Sequence, residues 1–247
     1  MSCFVKSLLV ALLLFPLVPV LTFSQTTNTI VIEGIDLMPQ GRASDGRGIM
    51  TDAAIEAVKR AGFTGKLEFL PWKRAQAKVT DGKNLLITAL SRTPEREDKY
   101  VWLFPVFRYE RAFITTGKTY SSFAEAKASL KHIIATLGSA QYDILIREGF
   151  SPNQITTVEI ERQNVIPSML LAGHGDAWFA VTAEARFSLK GEAEVAKFVI
   201  GPSLGQGTDQ FVAASKDSSP ELIEKLKKAG AQMAADGTIA KIIKQYQ

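Results

Sequence analysis

Leu85-Leu86-Ile87-Thr88-Ala89-Leu90-Ser91-Arg92-Thr93-Pro94-Glu95-Arg96 is the stretch on which the reading of this chain turns. Its first half is a nearly unbroken apolar run, the pattern of a parallel strand buried on both faces. Thr93-Pro94 then opens a helix, with Thr93 as N-cap and Pro94 as the first helical residue. Arg96 therefore falls in the first turn, where a cation opposes the helix dipole and costs about 0.3–1 kcal/mol. Helix stability does not favour it there. Free backbone N–H groups beside a guanidinium make a two-part anion site, the guanidinium gripping a carboxylate bidentately. The competing reading is a surface arginine paired with Glu95, Glu97 or Asp98.

Outward from this stretch, strand and helix patterns alternate. On its N-terminal side lie a β-branched strand, Ile30 to Ile35, and a Gly-rich loop from Gly41 to Gly48. A helix from about Met50 to Ala61 follows, stopped by Gly62. Lys66 to Leu70 reads as a strand ended by Pro71, and a short helix runs from about Lys73 to Thr80. On the C-terminal side, Ser122-Phe123-Ala124-Glu125 fits a capping box. Strands are expected over His132–Leu137, Ile155–Ile160, Ala177–Val181 and Gln210–Ala214. Helices are expected over Gln141–Glu148 and Val165–Ala172, and again after Ser219-Pro220. This βαβ alternation predicts α/β architecture with parallel sheets covered by helices.

The N-terminus sets the compartment. Lys6 is the only charge in the first 24 residues, ahead of an apolar run from Leu8 to Leu21 and the small-residue stretch Thr22-Phe23-Ser24. That order predicts a secretory signal peptide over 1–24, cleaved near Ser24 or Gln25, and a periplasmic product. The run is shorter than the ~20 residues of a membrane-spanning helix, and Pro16 and Pro19 interrupt it. The only cysteine, Cys3, precedes the run, so the mature chain is expected to lack disulfides and thiolate metal sites. Losing Lys6 takes the net charge of +4 down to +3. The basic residues are scattered among acidic ones, which argues against a nucleic-acid surface. His132 and His174 stand far apart without metal-ligand spacing.

At Ser91 to Arg96 the sequence resembles the family 3 extracellular solute-binding proteins, which serve polar amino acid ABC transporters. Six further segments keep the family's order: Gly34 to Pro39, Gly48 to Gly62, Pro71-Trp72, Phe104-Pro105, Ala172-Gly173-His174-Gly175-Asp176-Ala177, and Ala235-Asp236-Gly237-Thr238 with Tyr246. Pro71-Trp72-Lys73-Arg74-Ala75 resembles a less characterised branch. The resemblance implies a type 2 periplasmic-binding fold: two lobes, each a mainly parallel sheet flanked by helices, joined by two hinge strands. Lobe 1 is expected over 26–110 plus 207–247, and lobe 2 over 111–206. It implies no enzyme activity and no cofactor or metal. The partners it implies are a small carboxylate-bearing ligand in the interlobe cleft and an ABC permease, with the protein itself a monomer.

The same resemblance assigns Arg96 to the ligand's carboxylate, with Ala89 and Ser91 supplying backbone groups and a hydroxyl at a strand end. Trp72, after a strand's C-terminal end, either stacks on the ligand or fills core space. Arg74 either contacts the ligand or covers the helix surface. Asp36 either receives a ligand cation or forms a turn. In lobe 2, Ser139 either caps the following helix or helps close the carboxylate site, and both roles are compatible. Arg162, Gln163 and Asn164 match a cleft loop, where Asn164 is alternatively an N-cap. One departure stands out. The aspartate that pairs with an α-ammonium in amino-acid binders is Val181 here. Either Asp36 or Glu184 replaces it, or the ligand lacks the amine, because an unpaired buried ammonium costs several kcal/mol. Two other functions use the same architecture: a ligand sensor for a membrane partner, and an exported cyclohexadienyl-type dehydratase. The second lacks paired carboxylates in the expected cleft.

Overall fold

The computed structural model describes residues 28–190 and 195–246; the expected signal peptide lies outside them. Lobe 1 is built on β1 (Thr29–Gly34), α1 (Ile49–Arg60), β2 (Thr64–Phe69), α2 (Trp72–Asp81), β3 (Leu86–Ser91) and β4 (Val101–Tyr109). The chain then enters lobe 2 through β5 (Arg111–Thr115), α3 (Phe123–Ser129), β6 (Ile133–Thr136), α4 (Ala140–Arg147) and β7 (Ile155–Val158). Lobe 2 continues with α5 (Ile166–Leu171), β8 (Ala177–Val181), α6 (Thr182–Leu189) and β9 (Val199–Ile200). The return strand β10 (Thr208–Ala214) rejoins lobe 1, followed by α7 (Pro220–Ala235) and α8 (Thr238–Lys244).

The first sheet has the order β2-β1-β3-β10-β4, and the second β7-β6-β8-β5-β9. Each is mixed. In the first, β10 runs antiparallel to both of its neighbours, as β5 does in the second. The remaining strands of each sheet share one direction, so the expected parallel character holds apart from one strand per lobe. Both reversed strands begin at crossings between the lobes. Only Glu110 separates β4 from β5. Beside this crossing, Leu204 N donates to Arg111 O at 2.7 Å, and Thr208 pairs with Tyr109.

Local sequence explains most elements. All six residues of β3 are buried, as its apolar run predicts. Helix α1 buries Ile49, Met50, Ala53, Ala54, Ala57 and Val58, a stripe at helical spacing. Gly230 lets α7 lie directly on β4, since a Cβ there would stand 2.3 Å from the Phe104 ring. In lobe 2 the two-residue strand period divides the core. Phe113 and Phe179 pack into one cluster, their centroids 4.9 Å apart, while Ile114, Trp178 and Ala180 belong to a second cluster.

Three local expectations need correction. The helix opened by Thr93-Pro94 is a 3-10 helix over Pro94–Lys99, not an α-helix; with about three residues per turn it still holds Arg96 in its first turn. The helix expected over Val165–Ala172 is present as α5, but the strand expected over Ile155–Ile160 stops at Val158, because a 3-10 segment over Ile160–Val165 leads into α5. At Ser122 only half of the capping box forms. Ser122 accepts from Glu125 N at 3.1 Å, but the Glu125 carboxylate turns to Ser121 N at 3.0 Å.

Candidate functional site

Between the lobes lies a space of about 340 Å³, walled from lobe 1 by Ile35, Leu37, Trp72, Ala89, Ser91, Arg96, Tyr109 and Gln210. Lobe 2 contributes Thr136, Ser139, Ala140, Gln141, Ile160, Val181 and Glu184. It lies at the C-terminal ends of β1, β3, β6 and β8, where open α/β sheets hold their ligands.

Arg96 is 5% exposed. The carboxylates that would make it a surface arginine are committed elsewhere, Glu97 to Arg92 and Glu95 to Arg147. Burial lowers its pKa from the usual arginine value, opposed by the charge of Asp143, whose oxygen is 3.5 Å away. Among the described residues its side chain makes one hydrogen bond, Nη2 to Gly138 O at 3.0 Å. A guanidinium carries five N–H donors, so most of this one's capacity is left over.

The Gly138 carbonyl is shared across the cleft. It also accepts from Trp72 Nε1 at 3.2 Å and Gln76 Nε2 at 3.0 Å. Gly138 has φ of 70°, and a Cβ there would meet Lys73 Cγ at 2.7 Å, so glycine is required by both backbone and space. Trp72 joins the lobe 1 core, walls the cleft, and donates from its backbone N to Glu161 at 2.9 Å. The indole fills core space and also walls the cleft.

Ser91 is set as a donor. Its Oγ accepts from Arg111 Nη2 at 2.9 Å and from Gln210 Nε2, which occupies both lone pairs and leaves its own hydrogen to point elsewhere. Ala89 adopts φ of 55°, uncommon for a residue with a side chain, where the pairing of β3 with β10 shifts register between Phe211 and Ala213. Ser139 caps α4: its hydroxyl accepts from Tyr142 N at 3.4 Å and donates to Thr136 O at 2.7 Å. The hydroxyl is therefore committed to structure. The N–H groups of Ala140 and Gln141, which open α4 and line the cleft, have no carbonyl within the helix to bond.

Among the described residues Glu184 is the one carboxylate in the wall. It lies in the first turn of α6, three residues beyond Val181, and is 5% exposed. Gln40 Nε2 donates to its Oε1 at 2.9 Å. Burial pushes its pKa up to about 7, against the hydrogen bond from Gln40 and the positive charge of Arg111. Arg111 is itself buried; desolvation brings it down to about 10, with Glu184 opposing, and its Nη1 donates to Thr208 Oγ1 at 2.8 Å. The buried Tyr109 hydroxyl is pushed well up by burial and by Glu184, and among the described residues it has no hydrogen-bond partner.

Three expected site residues stand away from this space. Asp36 is exposed, and its Oδ1 accepts from Ala43 N at 2.9 Å, the turn-forming role. Arg74 lies on the solvent face of α2, because Trp72, Ala75 and Val79 define the buried stripe. Asn164 is exposed, with Arg162 beside it, and Val165 rather than Asn164 caps α5. Sequence reasoning passed over Arg111, Gln210, Tyr109 and Gln40 as site residues. A legible signal existed for Arg111: a lone charge heading the apolar strand Arg111-Ala112-Phe113-Ile114.

Comparisons with known proteins bear on the fold that carries this space. Among solved structures, an ancestral arginine-binding protein bound to arginine superposes with a TM-score of 0.74 at 19% identity, covering 89% of this chain and 98% of that one. The arginine-, lysine-, histidine-binding protein ArtJ from Geobacillus stearothermophilus gives 0.74 and 19%, covering 89% and 94%. A histidine kinase sensor domain with similarity to periplasmic binding proteins gives 0.77 at 12%, covering 89% and 95%. These likenesses show the type 2 periplasmic-binding fold. No individual curated protein matches the chain in sequence. The family model of the bacterial extracellular solute-binding proteins, family 3, matches residues 38–247. The chain belongs to that family.

Proposed function

We propose that this protein captures a small zwitterionic solute, carrying a carboxylate and an ammonium, in its interlobe cleft and delivers it to an ABC permease. The carrying observation is that Arg96 of lobe 1 and Glu184 of lobe 2, both buried, wall the same small space. Arg96, with the Ser91 hydroxyl and the N–H groups opening α4, receives the carboxylate. Glu184 receives the ammonium, taking the place of the aspartate that Val181 lacks. An ammonium beside Glu184 replaces the counter-charge that burial otherwise denies it.

Because the two charges come from different lobes, a zwitterion bridges them and shifts the ensemble towards the closed form. The lobes move as 26–110 plus 207–247 against 111–206, about Tyr109–Ala112 and Gly205–Thr208. The protein acts as a periplasmic monomer after removal of residues 1–24. It acts by binding alone: among the described residues Glu184 faces no second carboxylate in the wall with which to share acid and base roles.

A thermal-shift and calorimetric comparison of amino acids with their amine-free acids and their carboxamides tests the reading. Stabilisation by the amino acid alone is expected, about 2.7 kcal/mol at 100 times Kd. Equal binding of the amine-free acid removes the role given to Glu184. Delivery is checked by uptake of the labelled ligand in cells lacking the protein.

A further inference from the structure

We infer that the solute is an amino acid with a small, uncharged and mainly apolar side chain, because Arg96 and Glu184 are the only charged residues in the cleft wall among the described residues. This rests on the reading just given, in which the ligand's carboxylate and ammonium use both. Nothing charged then remains in the wall to meet a third ionised group.

The rest of the wall is apolar or neutral. Ile35, Leu37, Trp72, Ile160 and Val181 supply the apolar surface. Of the neutral polar groups, Gln210 is occupied by Ser91, while the Tyr109 hydroxyl is buried without a partner among the described residues. The Thr136 hydroxyl and the Gln141 amide also face the space; such neutral groups suit a hydroxyl on the ligand and cannot neutralise a charge.

Basic side chains meet a further obstacle. Arg111 stands behind the wall, close enough to Glu184 to act on its ionisation, and both of its terminal nitrogens are hydrogen-bonded. A lysine or arginine side chain would bring a third cation to one carboxylate. An acidic side chain would add a carboxylate beside Glu184, with Arg96 already engaged. Each case leaves a charge desolvated and unpaired, a penalty equivalent to a loss of about 100-fold or more in affinity. Size points the same way. The space between the lobes must also hold the ligand's charged groups, which favours a small side chain.

The test is calorimetry on the wild-type protein, stripped of bound solute by unfolding and refolding. The probes are L-alanine, L-valine, L-threonine, L-leucine, L-lysine, L-arginine and L-glutamate, with propionate and isovalerate as amine-free controls. The expected result is that an uncharged amino acid binds at least about 100-fold more tightly than lysine, arginine and glutamate. A charged amino acid binding as tightly as the best uncharged one overturns the side-chain assignment and leaves the zwitterion reading intact. Isovalerate matching valine, or propionate matching alanine, overturns the zwitterion reading itself. Absence of binding by every amino acid at millimolar concentration overturns the inference.

Discussion

Glu33 in lobe 1 and Glu184 in the cleft are both shielded from solvent, yet the protein surrounds them differently. Glu33 lies on β1, and Lys78 reaches it from α2 while also holding Glu68 at 2.7 Å. Its counter-ion is internal, as a charge that belongs to the fold requires. Glu184 receives a neutral amide from Gln40, and the nearest positive influence, Arg111, is hydrogen-bonded to Thr208 and Ser91. On the reading proposed above, the difference separates a charge neutralised by the fold from one that a ligand neutralises.

The largest expected effect bears on the opposite wall of the cleft. Arg96→Ala is expected to weaken ligand binding by about 2–5 kcal/mol, since it strands a buried carboxylate. Titration calorimetry checks this, and unchanged affinity would remove Arg96 from the site.

The pH dependence of stability sharpens the comparison next. Between the ordinary value of 4.5 and the folded-state value of about 7, native Glu184 holds a proton that the unfolded chain has released. Its contribution is therefore fully present below pH 4.5 and is lost as pH rises towards 7, on the order of 3 kcal/mol for the unliganded protein. Urea unfolding across that range should show the decline, and Glu184→Gln should flatten it. A zwitterionic ligand should conversely bind more tightly as pH rises through the same window, because its ammonium needs the ionised carboxylate.

Lys78→Ala breaks the other side of the comparison. It leaves Glu33 buried without its cation and should destabilise by about 2 kcal/mol, less than the loss of a fully buried pair because Lys78 is 33% exposed. Denaturant unfolding measures it, while ligand affinity should stay within about twofold. The smallest effects are expected at Asp36 and Arg74. Alanine at either should change affinity by less than about 0.5 kcal/mol, as for ordinary surface substitutions. A tenfold loss at either position would return that residue to the site.

Much of the fold was legible because its signals are local. The apolar run before Ser91 became β3, Ser219-Pro220 opened α7, and Ala177–Val181 matched β8 residue for residue. The aspartate of the Ala172 to Ala177 segment is explained instead by contacts distant in sequence: Asp176 Oδ2 accepts from Lys131 N and His132 N, each at 2.8 Å, tying β8 to the start of β6. Less legible was the strand reversal in each sheet. Periodicity reports which face of a strand is buried and is blind to its direction.

For the site, the sequence alone determined that Arg96 sits in a helical first turn and that Val181 cannot serve an ammonium. Each follows from residue type and immediate neighbours. Only the tertiary structure places Glu184 rather than Asp36 in the cleft wall, and brings Arg111 and Gln210 to Ser91 from segments 20 and 119 residues away. Asp36 satisfies its own loop, whereas Glu184 points from a second lobe into a space that exists only when the two lobes meet. A cleft between lobes is a long-range property, and no local pattern encodes which carboxylate will face it.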